Sequence, residues 1–157
     1  MTLPLQDQVA FITGAGSGLG AETARRLARD GAIIAVNDLN ETAAQSIANE
    51  VGGIALPFDV VDSHAFDLAV DSCVSQLGRI DILVNNAGIA PSDAATKTDR
   101  MMANSMRRME GKINELEPLD FMLDLSDEAW DRMIKIHLYG SFYGCRAALR
   151  HMQPQRS

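Results

Sequence analysis

Four short apolar runs mark the first part of the chain: VAFIT from Val9, AIIAVN from Ala32, IALPFD from Ile54 and IDILVNN from Ile80. Each is apolar at successive residues rather than alternate ones, the pattern of strands covered on both faces, and this predicts a parallel sheet. The intervening segments have helical period. ETARRLARDG sets Ala24, Leu27 and Ala28 on one face and its charges on the other, with Gly31 placed to stop the helix. ETAAQSIANEVGG and HAFDLAVDSCVSQLG repeat the arrangement, each ending in glycine. Strand alternating with helix predicts an α/β fold of four parallel strands joined by right-handed crossovers.

The regularity stops after Gly88. Residues 91–118 contain four methionines, mixed charges and no strand signal, and read as a helical insertion in a single domain. Met102, Met106, Met109, Ile113 and Leu116 follow 4, 3, 4, 3 spacing, which predicts a helix of about four turns with one apolar stripe, broken only by Gly111. Such a stripe is expected to cover a substrate mouth, a partner surface or its own domain. Ser126 is a good N-cap, followed by Asp127 and Glu128, and one long helix is expected from there to about Met152, before Pro154.

With 157 residues, 46% of them apolar, the chain fits one domain with a sizeable core. A net charge of −7 leaves no basic field for nucleic acid or an anionic membrane. The start, MTLPLQDQ, lacks the charged and apolar regions of a signal peptide, and no stretch approaches the roughly 20 apolar residues of a membrane span. A soluble, cytoplasmic protein is expected. Cys73 and Cys145 stand far apart and outside any CxxC or metal-ligand spacing, so neither a disulfide framework nor a metal site is expected.

The candidate chemistry lies where strands give way to helices. In TGAGSGLG, Thr13 to Gly20, Gly14 permits a tight turn, Gly18 lets backbone approach a pyrophosphate, and Gly20 allows close helix and strand packing. The following helix N-terminus adds amide donors and partial positive charge. Ala21 stands where a P-loop needs lysine. Asp38, 18 residues beyond Gly20, is placed to accept from both ribose hydroxyls of an adenosine.

The spacing of Thr13, Gly14, Gly18 and Gly20 resembles the TGxxxGxG signature of the short-chain dehydrogenase/reductase family, and Asn85, Asn86, Ala87 and Gly88 resemble its NNAG. Asp59 and Val60 match the pair that contacts adenine in that family. The resemblance covers Gln8 to Ala90 and Leu119 to Met152. It implies a Rossmann-type doubly wound sheet with strand order 3-2-1-4. It also implies a cofactor-binding set of Thr13, Gly14, Ser17, Gly18, Leu19, Gly20, Asp38, Leu39, Asp59, Val60, Asn86, Ala87 and Gly88. NAD is expected over NADP, because Asp38 would face the extra phosphate and no basic side chain sits at Ala15, Ser17, Leu39 or Asn40. A small alcohol or carbonyl substrate and a homo-oligomer are expected partners.

KIHLYGSF resembles the family's NLxGxF segment, with His137 where an active-site asparagine is usual. Histidine can serve the same proton relay, or simply cap or pack there. Gly140 and Gly144, costly in a helix, point to close packing on that face. The family's chemistry also needs a serine, and a tyrosine followed four residues later by lysine. The only tyrosines are Tyr139 and Tyr143, followed at that distance by Tyr143 and Ala147. The chain is therefore expected to be a truncated, inactive cofactor-binding half of an oxidoreductase. Two rival readings are a non-catalytic NAD-binding or interaction protein, and a methyltransferase using the same glycine-rich turn, which gives no account of NNAG.

Overall fold

Every apolar run forms a strand in the computed structural model, which describes residues 2–90 and 94–156. The strands are β1 (Val9–Ile12), β2 (Ile33–Val36), β3 (Ile54–Ala55) and β4 (Ile82–Val84). The α-helices are α1 (Gly18–Arg29), α2 (Glu41–Val51), α3 (Ser63–Leu77), α4 (Ala94–Met109), α5 (Asp127–Ile134) and α6 (Gly140–Gln155). Two compact units result, one made of residues 1–88 and 134–157, the other of Ile89–Met133.

In the first unit all strand pairs are parallel, in the order β3-β2-β1-β4. This is the expected doubly wound topology. Successive residues of β1 point to opposite faces, and all four are fully buried, which is why the run is apolar throughout. Val9 and Phe11 enter a core with Phe66, Val70 and Cys73 of α3, Ile80, and Ala147 and Ala148 of α6. Ala10 and Ile12 enter the opposite core with Ala24 of α1, Ile34 and Val36, and Ala44, Ile47 and Ala48 of α2. Burial pushes the Cys73 thiol up to about 12, so it behaves as a small apolar group.

Local signals fix the helix ends. Asn40 Oδ1 accepts from Ala43 N–H, and Asp62 Oδ1 accepts from His64 and Ala65 N–H, each satisfying amides that the first turn leaves bare. Gly52 and Gly78 end α2 and α3 in the left-handed conformation.

Asp81, just before β4, accepts from Val9 N–H (2.9 Å) and from Arg79 Nε (2.7 Å), holding the start of β1. Burial alone would raise the carboxyl, but the bonds from Arg79 and Val9 outweigh it and hold the group below the ordinary aspartate range. A depressed folded-state value adds stability above the unfolded value and loses it as pH falls. Asp81→Asn is therefore expected to be less stable than the parent at pH 7, with the gap closing below about pH 4. Denaturant melts at both pH values check this; a gap that persists in acid would contradict it.

Two sequence expectations are corrected. The Met-rich helix starts at Ala94 and ends at Met109, and Gly111, at φ +77°, lies beyond its end rather than inside it. A left-handed residue cannot continue a right-handed helix, so Ile113 falls in a separate 3₁₀ turn, Ile113–Glu115, and Leu116 follows that turn. Within this second unit, buried Asn104 ties α4 to the returning chain: Nδ2 donates to Glu117 O (2.7 Å), and Oδ1 accepts from Glu117 N–H (3.0 Å). The long helix predicted from Ser126 to Met152 is likewise not one regular helix. Ser126 Oγ does accept from Ala129 N–H, as a cap should. However, Lys135–Tyr139 is a π-helical segment between α5 and α6, and α6 carries Pro154 within its last turn.

Candidate functional site

A parallel sheet brings the carboxyl ends of its strands to one edge, and all four motifs leave from those ends. Ser17, the N-cap of α1, makes no side-chain cap bond, and the first turn carries no acidic residue. The positive end of α1 is thus not offset by a capping side chain or by an acid of its own first turn. A Cβ at Gly18, whose φ is +54°, would meet no heavy atom within 4 Å, so the turn is open to solvent there. Ser17 and Leu19 are exposed beside it.

The rest of the turn is closely packed. Gly14 has φ +62°, and a Cβ there would lie 2.8 Å from Ala87 Cα. A Cβ at Gly20 would strike the Gly14 carbonyl oxygen and come within 2.9 Å of Ala15 Cα. Thr13, 1% exposed, donates its hydroxyl to Val84 O (3.4 Å) and accepts from Asn86 N–H (3.0 Å) and Ala87 N–H (3.1 Å). A hydroxyl has one donor and two acceptor sites, so this one is fully engaged. Asn86 answers through Nδ2, which donates to the Thr13 and Gly14 carbonyls at 3.0 Å each. Thr13 and Asn86 therefore hold the turn against the end of β4, the Thr13 hydroxyl through the backbone of Val84, Asn86 and Ala87 and the Asn86 Nδ2 through the carbonyls of Thr13 and Gly14.

Asp38 is held just as firmly. Oδ2 accepts from Gly16 N–H and Oδ1 from Asn40 N–H, both at 2.9 Å, fixing the carboxylate beside the turn. A Cβ at Gly16 would lie 2.8 Å from that Oδ2, so this glycine permits the contact. Leu39 follows, 67% exposed. Asp59 Oδ1 accepts from Val61 N–H (3.1 Å), while the Val60 side chain is buried against Gly140.

On the β4 side, a Cβ at Gly88 would come within 2.6 Å of His137 Cε1, so the imidazole of the π-helical segment lies directly against the end of NNAG. Single π turns recur at functional sites, where an extra residue re-aims side chains. Gly144 packs on Phe66 and Asn85, and Asn85 Nδ2 donates to Cys145 Sγ (3.4 Å). The close packing expected of Gly140 and Gly144 is present. Sequence reasoning passed over Gly16, though it lies within the glycine-rich turn, and Asn37, a polar residue at the end of an otherwise apolar run. No helix among the described residues is long and apolar enough to cross a membrane.

The sequence model of the family described as short chain dehydrogenase matches residues 8–157. Among curated relatives, a D-threitol dehydrogenase of Mycolicibacterium smegmatis is 34% identical over 153 residues, covering 94% of this chain and 48% of its own. A mitochondrial borneol dehydrogenase of Lavandula x intermedia is 31% identical, covering 98% and 49% respectively. Among solved structures, a 3-ketoacyl-(acyl-carrier-protein) reductase from Brucella melitensis, complexed with NADH, superposes with a TM-score of 0.76 at 29% identity. That match covers 96% of this chain and 52% of the reductase. The chain spans about half the length of the relatives it matches.

Proposed function

Because the chain belongs to the short-chain dehydrogenase family, we propose that it is the dinucleotide-binding part of an oxidoreductase that moves a hydride between a nicotinamide cofactor and an alcohol or carbonyl group. The observation that carries this reading is the fixed Asp38 carboxylate beside the uncapped N-terminus of α1. One end of the site suits a pyrophosphate and the other a pair of ribose hydroxyls. NAD, when bound, supplies the hydride acceptor. The backbone from Ser17 to Gly20 donates to the pyrophosphate, and Asp38 accepts from the adenosine ribose. Leu39, Asp59 and the Val60 backbone border adenine, and Asn86, Ala87 and Gly88 border the other ribose. Thr13, Gly14 and Asn86 position the turn. His137, against Gly88, stands where a proton relay would pass, and no tyrosine in these 157 residues is followed four residues later by lysine.

The fixed Asp38 also supports NAD over NADP as the cofactor. Its carboxylate is already committed to two amides and cannot turn away from a 2′-phosphate, and a like-charge contact costs several kcal/mol. Titration of NAD and NADP, followed by ligand-observed NMR, is expected to give weak binding of NAD, at least about tenfold weaker binding of NADP, and no turnover by the chain alone. Equal affinities would remove Asp38 from the site, and turnover would reveal an active centre built from the residues around His137.

A further inference from the structure

β3 pairs with β2 over only two residues, Ile54 and Ala55. Leu56 N–H still donates to Val36 O (2.8 Å), and then Pro57, which has no N–H, ends the ladder. Yet the chain must travel two residues further in a fixed direction to deliver Asp59 and Val60 to the edge of the sheet. The side chain of Asn37 spans this gap. Its Nδ2 donates to both Leu56 O and Phe58 O at 3.1 Å, one carbonyl on each side of the proline. Asn37 is 1% exposed, and its Oδ1 is buried with no hydrogen-bond partner among the described residues.

An unpaired buried acceptor is costly, so the carboxamide is held there for its two donors. Its backbone serves another end of the site, because Asn37 O accepts from Ala15 N–H (2.8 Å) in the glycine-rich turn. Side chain and backbone therefore act on different halves of the same site. We propose that Asn37 is the positioning residue of the adenosine subsite, its carboxamide carrying the chain past Pro57 and setting Asp59 and Val60 in place. This rests on the cofactor reading above.

The test uses ADP-ribose, which needs both halves, and inorganic pyrophosphate, which needs only the turn. Asn37→Ala and Asn37→Leu each remove the two donors without adding charge and leave the backbone bond to Ala15 in place. Loss of two hydrogen bonds to carbonyls is expected to weaken ADP-ribose about tenfold, with pyrophosphate unchanged. In the parent chain, isotope-labelled and free of any folding penalty, the Asn37 Nδ2 protons are expected to shift with ADP-ribose and not with pyrophosphate. Undiminished ADP-ribose binding, an equal loss of both ligands, or carboxamide signals that ignore ADP-ribose would each overturn the inference. A parent chain that binds neither ligand would instead bring down the cofactor reading, and the inference with it.

Discussion

Gly20→Ala is expected to abolish measurable dinucleotide binding while leaving most of the sheet folded. The added methyl would sit against the Gly14 carbonyl oxygen and Ala15 Cα, both backbone, so no rotamer change relieves the contact. The turn must open or α1 must retreat, and either movement pulls the α1 N-terminus away from Asp38, which is bonded to Gly16 in that same turn. Donors displaced by even about 1 Å lose most of their contribution to a bound anion. The strands themselves are untouched, since Gly20 lies beyond β1. NAD affinity should fall at least about thirtyfold, or about 2 kcal/mol, with a far-ultraviolet circular dichroism spectrum close to the parent's. Affinity equal to the parent's would mean that the turn is not where the dinucleotide sits.

Phe11→Ala is expected to act in the opposite way, on the fold first. The ring is fully buried, stacks with Phe66 at 6.1 Å and lies 6.4 Å from Phe58, which in turn meets Phe66 edge-on at 4.8 Å. β1 is bordered on both sides by strands and on both faces by helices, so the vacated volume cannot close without moving the central strand. Such truncations cost about 3–5 kcal/mol, against a total stability of about 5–15 kcal/mol for an ordinary domain. Chemical denaturation should place the midpoint far below the parent's; a shift under about 1 kcal/mol would show that the three rings repack.

The legible part of this fold was its covered strands. Val9–Ile12 and Ile34–Val36 are continuous apolar runs because both their faces are buried, and that pattern is visible in the sequence itself; Ile33, at the start of β2, is exposed. The order of the strands came from the family resemblance rather than from the runs themselves. Asn37 was missed because, beside an apolar run, a single polar residue looks like the strand's end, and only the structure reveals that its amide replaces the ladder that Pro57 cannot continue. The π-helical segment was invisible for a different reason. One extra residue in a turn barely alters the local mixture of apolar and polar positions, so Lys135–Tyr139 reads as ordinary helix. Gly111 was seen but misjudged: the methionine stripe suggested continuity, whereas its left-handed backbone belongs to a chain that has already left the helix.

The short pairing between β1 and β4 has a consequence for how its alignment is kept. Only three residue pairs join the two strands, Ala10 with Ile82, Phe11 with Leu83 and Ile12 with Val84, too few to choose one offset firmly by their ladder alone. The choice is made just outside it. Asp81 grips Val9 at one end, and Asn86 and Ala87 grip Thr13 at the other. A slip by one residue would break both grips at once and turn every side chain of β4 to the wrong face. The glycine-rich turn and NNAG therefore stay level with each other however long the connections between the strands become, because their alignment is latched at the two ends of the central strand and not measured out by the loops.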